Sequence, residues 1–238
     1  MGHYYLRVLG ILILVSTFTE VSYAEGSKRF GLALFGGYST YSMSDIDDAL
    51  AEPGTFFPGA TVTADDIGAG AGFGAGLRMW RSDRVMVSID VSRLLAKTDG
   101  SAVYLGTPFD GELNVPATNV GLTVNYLFPS NTRSRWGLGA GAGYYTCTGE
   151  ASASGSGVTF SADVEGSGFG FHALGIGDIA LSDAVNVEIG AGYRLAKTTD
   201  VQVDGGVLYN ADGSKSQVDW SGFMSRLGVT FYLGGKKE

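Results

Sequence analysis

The sequence predicts an all-β chain: an eight-stranded, antiparallel, up-and-down β-barrel that spans a membrane. Three observations predict it. Apolar residues recur with a period of two in eight separate runs. The connections between those runs alternate between short and long. The apolar face carries aromatic residues at two levels and almost no charge.

The chain opens on a targeting segment. Arg7 precedes an apolar run over 8–15, and Ser22-Tyr23-Ala24 is a small-x-small cleavage signal. The expectation is a signal peptide over 1–24, removed after Ala24, then one barrel domain over 25–238 with no further domain behind it. The uncharged stretch 8–19 is well short of the roughly 20 residues a spanning helix needs.

The eight runs lie near 30–41, 66–80, 84–97, 115–128, 135–149, 164–181, 184–198 and 217–233. In the seventh, Val185, Val187, Ile189, Ala191, Tyr193 and Leu195 share one face, and Asn186, Glu188, Gly190, Gly192 and Arg194 share the other. Val85, Val87, Ile89 and Val91 oppose Ser88, Asp90 and Ser92 in the third run. Val120, Leu122, Val124, Tyr126 and Phe128 oppose Asn119, Gly121, Thr123 and Asn125 in the fourth. Leu227, Val229, Phe231 and Leu233 oppose Arg226, Gly228, Thr230 and Tyr232 in the last. The connections 81–83, 129–134 and 182–183 are short, and 42–65, 98–114, 150–163 and 199–216 are long. Short periplasmic turns and long extracellular loops are the layout of a transmembrane barrel. Within the first long loop, Ser44-Asp45-Ile46-Asp47 is a helix cap followed by acids, so a short helix ending at Pro53 is expected.

A soluble barrel would turn the apolar face inward. The second face argues against that, because Gly, Ser, Asn and charged residues supply too little apolar volume for a packed core. The apolar face also carries a girdle. Trp136 and Tyr144 share it, and eight tilted strand residues separate them by about 20 Å along the membrane normal, close to an apolar band of about 25 Å. Phe128, Phe231, Tyr38 and Tyr193 fit the same two rings.

There is also an internal repeat. Ser82-Asp83-Arg84-Val85 matches Ser182-Asp183-Ala184-Val185, and Leu95-Ala96-Lys97-Thr98 matches Leu195-Ala196-Lys197-Thr198, all at an offset of 100 residues. The third and seventh strands are therefore equivalent in a four-plus-four arrangement, which favours an even strand number.

The last strand resembles the terminal assembly signature of outer-membrane barrels through Arg226, Gly228, Phe231 and Leu233, although Leu233 stands where an aromatic residue is usual. With this size and strand pattern, the chain resembles the small OmpA- and OmpX-type barrels over nearly all of its mature length. The resemblance implies a cell outer-membrane location in a Gram-negative-type bacterium. The partners it implies are the surrounding lipid and lipopolysaccharide, the barrel-assembly machinery and an extracellular partner met through the loops.

A net charge of -8 with no basic stripe excludes nucleic acid as a partner. Gly175-Ile176-Gly177-Asp178-Ile179-Ala180 matches a dinucleotide fingerprint in letters, but a turn and a strand follow where a helix is required, so no cofactor is expected. No zinc-ligand spacing occurs, and the lone Cys147 fits a small strand residue. The acidic loop residues Asp45, Asp47, Asp48, Glu52, Asp200, Asp204 and Asp212 fit a solvated surface better than a calcium or bridged-phosphate site. His172 is the one histidine of the mature chain and lacks the His-x-Ser setting of the lipid A deacylases, so no catalytic residues are expected.

The candidate functional residues face the lumen: Arg78, Asp90, His172, Asp178, Glu188, Arg194 and Arg226. Charges inside a membrane protein must be paired or wet. Three arginines against three carboxylates favour a self-neutralising network over a one-sign selectivity ring, with Glu188 and Arg226 as the expected first pair. Alternate glycines, Gly68–Gly76 and Gly137–Gly143, fall on the same inward face and give room to such side chains. The favoured function is a non-enzymatic barrel that displays surface loops for envelope integrity or surface contact. A narrow gated pore is the alternative, and a lipid-modifying enzyme stands third.

Overall fold

The computed structural model describes residues 30–43, 60–104, 106–129, 133–155, 157–209 and 213–233. The expected signal peptide and the expected helix before Pro53 lie outside the described residues. In chain order the strands are β1 (Phe30–Thr40), β2 (Ala60–Ala64), β3 (Ala69–Trp80), β4 (Val85–Leu94), β5 (Lys97–Tyr104), β6 (Thr107–Asn114) and β7 (Ala117–Pro129). They continue with β8 (Ser134–Gly155), β9 (Val158–Ala180), β10 (Val185–Val203), β11 (Gly206–Val207), β12 (Val218–Asp219) and β13 (Gly222–Leu233).

Eight of them close a ring. β1, β3, β4, β7, β8, β9, β10 and β13 each pair antiparallel with the next, and β13 pairs back to β1 from Phe30↔Leu233 to Ser39↔Met224. Closure satisfies every strand edge within the bilayer, where no water can. Side-chain burial alternates as the sequence pattern requires: Arg78, Ser88, Asp90, Asn125, Asp178, Asn186 and Glu188 are buried, while Leu32, Leu34, Leu122, Val124, Leu138 and Leu227 are exposed. The apolar face is therefore the outer one, facing lipid.

Aromatic residues mark both rims of that face. Phe30, Phe128, Trp136 and Phe231 are exposed toward the short-turn end, with Trp136 directly across from Phe128. Tyr38, Phe73, Phe169, Tyr193 and Phe223 are exposed toward the long-loop end. Tyr144 stands there too, half-buried, with its ring 5.1 Å from that of Phe169.

The repeat is structural. Ser82 Oγ accepts a bond from Val85 N at 3.1 Å, and Ser182 Oγ accepts one from Val185 N at 3.1 Å. Arg81 N and Leu181 N each donate to the carbonyl of their Val85 or Val185 at 2.9 Å. The two turns lead into β4 and β10, the third and seventh strands of the ring.

The long connections differ from expectation. Segment 98–114 is mostly a hairpin of β5 and β6, and most of 150–163 continues β8 and β9 as paired strands up to Gly155↔Val158. β10 likewise runs on to Val203 and turns back through Asp204 and Gly205, whose φ values of 48° and 79° suit a two-residue hairpin turn. The result is a sheet standing beyond the barrel rim, in the order β11-β10-β9-β8-β6-β5-β2. Gly106, Gly157 and Gly205, each with a φ of 79°, permit these hairpins. The Ser, Gly and Ala content of 150–163 hid their strand character, since neither face alternates in polarity.

Candidate functional site

The inward residues of β4 show how the lumen is filled. Met86 belongs to an apolar cluster at the short-turn end, Ser88 and Asp90 are polar and buried, and Leu94 belongs to a second apolar cluster at the long-loop end. The lower cluster contains Trp80, Met86, Leu127, Leu174, Ile176 and Tyr232. Trp80 Nε1 donates to Tyr232 Oη at 3.0 Å, which gives its indole N–H a partner within that apolar floor. The upper cluster is larger and includes Tyr41, Met43, Ile67, Tyr145, Val201, Val218 and Trp220. Tyr41 and Trp220 meet edge-on with ring centroids 5.2 Å apart.

Between the clusters lies a ring of four charges. Arg78 is fully buried on β3. Its Nε donates to Glu188 Oε1 at 2.6 Å, its Nη2 to Glu188 Oε2 at 3.0 Å and its Nη1 to Asp90 Oδ1 at 2.5 Å. Arg226 Nη1 donates to Asp90 Oδ2 at 3.1 Å, and its Nη2 lies 3.7 Å from Glu188 Oε2. Positive and negative groups thus alternate around a closed circuit drawn from β3, β4, β10 and β13. Thr230 Oγ1 adds a bond to Glu188 Oε1 at 2.7 Å. The lumen glycines leave the space: a Cβ on Gly76 would collide with Asp90 Oδ1 and lie 2.8 Å from Arg78 Nη1.

The expected first pair needs correction. Glu188 and Arg226 do meet, but only at 3.7 Å, and the shorter partner of Glu188 is Arg78. An arginine side chain spans the narrow lumen, so strand adjacency does not select the partner. Asp178 also departs from a simple arginine pairing. It accepts two bonds from Asn186 Nδ2, at 2.9 and 2.8 Å, and stands opposite Arg135 in the β8–β9 register. His172 lies apart from the ring, with Nε2 2.8 Å from Thr123 Oγ1.

Arg194 is different again. It is 4% exposed, and its Nε donates to Trp220 O at 3.0 Å. The rings of Tyr41 and Tyr145 lie 5.9 and 6.0 Å from its guanidinium carbon. No carboxylate pairs with it among the described residues. Sequence parity put Thr230, Asn186 and Thr123 on the inward face without naming them as partners of the charged residues, and it did not single out the aromatic mouth residues Tyr41, Tyr145 and Trp220. Tyr145 was legible in principle, because it alternates with the outward Tyr144.

No cluster among the described residues could hold a metal ion. At the level of the ring the barrel is filled by charges that pair with one another, while toward the mouth Arg194 has no such partner among the described residues.

No family model and no curated protein matches the sequence. Solved structures do. The outer membrane protein OprG from Pseudomonas aeruginosa is similar at 14% identity with a TM-score of 0.50, over 88% of this chain and 99% of that one. Neisserial surface protein A is similar at 14% identity and a TM-score of 0.41, over 85% of this chain and 96% of that one. Ail, the attachment invasion locus protein of Yersinia pestis solved with the heparin analogue sucrose octasulfate, is similar at 14% identity and a TM-score of 0.39, over 87% of this chain and 100% of that one. The fold is that of the small outer-membrane barrels. With its lipid-facing band and two aromatic rims, it places the chain in the outer membrane.

Proposed function

We propose that this chain is a non-enzymatic surface barrel: a closed membrane anchor that presents an extracellular sheet for contact with a partner outside the cell. The observation that carries this reading is the three-layer closure of the lumen. An apolar floor, a neutral four-charge ring and an apolar mouth leave little use for the interior except to hold the wall. The surface offered to the outside is the sheet β11-β10-β9-β8-β6-β5-β2. In this reading the surrounding partners are lipid and lipopolysaccharide at the aromatic rims. The assembly machinery reads the last strand through Arg226, Gly228, Phe231 and Leu233.

Three measurements test it. In planar bilayers the wild-type protein is expected to show no large, steady conductance. A variant whose β5–β6 hairpin is replaced by a short turn is expected to insert normally but lose attachment to host or neighbouring cells. A steady conductance in wild type, unchanged by Arg226→Ala or Glu188→Ala, overturns the closed anchor and establishes a pore. A change in outer-membrane lipid acylation that depends on the protein establishes an enzyme instead.

A further inference from the structure

Among the described residues the charge balance of the lumen is met in one place and not in another. In the ring, Arg78 and Arg226 offset Asp90 and Glu188. Toward the mouth, Arg194 adds a positive charge with no carboxylate partner among the described residues. A buried, uncompensated charge is strongly unfavourable, and a protein site offsets it with a counter-ion or by neutralising the group. A guanidinium does not deprotonate in proteins, which leaves the counter-ion.

The space for one is adjacent. A cavity of about 70 Å³ lies between the ring and the mouth cluster, lined by Arg194, Arg226, His172, Asn119, Asp90 and Tyr145 among others. Four buried polar atoms on its lining residues make no hydrogen bond among the described residues: Arg194 Nη2, Arg226 Nε, Arg226 Nη2 and Asn119 Oδ1. Three of the four are cationic donors, and of these Arg226 Nη2 faces Glu188 Oε2 at 3.7 Å. The single carboxylate on the wall, Asp90, is held on both oxygens by Arg78 and Arg226. Each water-sized particle needs roughly 10–15 Å³ of such a cavity, so the space fits one small ion with a few waters and excludes any sugar or nucleotide.

We propose that the lumen holds a small monovalent anion, of chloride size, bound between Arg194 and Arg226 as a built-in counter-ion. Arg194 Nη2 and Arg226 Nε are its donors, and waters link it to Asn119 and His172. The tyrosine rings beside Arg194 orient the guanidinium without supplying the missing charge. The site goes beyond surface contact and does not depend on it.

The probe is bromide. Crystals of the full protein refolded in sodium bromide are expected to give one anomalous peak inside the lumen, within hydrogen-bond distance of Arg194 Nη2. In detergent, the unfolding temperature is expected to rise saturably as chloride replaces gluconate at constant ionic strength. Arg194→Met is expected to abolish both the peak and the chloride dependence. Should Arg194→Met fail to fold, Arg194→Lys, which keeps the charge but moves its donors, is expected to weaken the chloride dependence at least several-fold. Bromide found only on the outer surface, or an unfolding temperature equally insensitive to chloride in wild type, overturns the proposal.

Discussion

The middle and the mouth of the lumen each bury an arginine almost completely, and the two are treated in opposite ways. Arg78 makes three short contacts with two carboxylates on β4 and β10. Among the described residues Arg194 makes one bond, to a backbone carbonyl, and faces two aromatic rings. The middle is bound by charge, and the mouth by apolar packing around Trp220. The difference teaches where each kind of cohesion serves. At bilayer depth a narrow lumen with polar walls is held by fully paired ions, because an unsatisfied group there has no water to turn to. Nearer the outside, longer strands give enough volume for an aromatic core of soluble type.

The largest test of that contrast is Arg78→Met. It leaves Glu188 and Asp90 to share Arg226 alone, one cation against two buried anions, and a loss of about 3–5 kcal/mol is expected in unfolding from detergent or bilayers. A loss under about 1 kcal/mol would show that the ring is wet and screened. Next is Val187→Arg on the lipid face, expected to cost about 2–4 kcal/mol when read as folding into vesicles at graded urea. If a cysteine at 188 were labelled by a lipid-soluble reagent and one at 187 were not, the inward and outward faces would be reversed.

Ile67→Ala cuts into the mouth cluster and is expected to cost about 2–4 kcal/mol locally. Hydrogen exchange should locate that loss in the upper parts of β8–β10, with the lower strands still protected. Uniform loss of protection down to β4 would merge the two regions into one cooperative unit. Smallest is Ser182→Ala, which removes the turn bond to Val185 N; about 0.5–1.5 kcal/mol is expected. Ser82→Ala should match it, since the two turns share their geometry. Unequal effects in thermal unfolding would show that only one turn matters to the folded state.

Much of the barrel was legible because period two converts directly into facing. Val187 and Glu188 could be assigned to opposite sides from the letters alone, and so could Trp136 and Gly137. The β5–β6 hairpin was not legible. Its residues form a small sheet outside the membrane, where no lipid imposes an apolar face. The lumen charges were legible as a set but not as pairs. Parity and turn counting give a residue's face and depth; they do not give distance across the interior, so Glu188 was matched to its neighbour-strand arginine when Arg78 reaches it from the far side of the seam. The mouth cluster escaped for a related reason: Tyr41, Met43, Ile67 and Trp220 lie at or beyond strand ends, where the period of two stops.

The position of the four-charge ring also bears on how the chain becomes a barrel at all. The seam joins β1 to β13, the first and last strands of the ring, which are nearly the whole chain apart. Arg78 and Asp90 lie on one side of that seam, Glu188 and Arg226 on the other. Each side already carries one cation and one anion, so the open intermediate can shelter them as neutral couples. Only the correct closure brings the couples together head to tail. A seam closed one residue out of register would turn the strand's charges toward lipid, and one closed two residues out would lift the couples past each other. The ring therefore favours the native register of the seam over a shifted one.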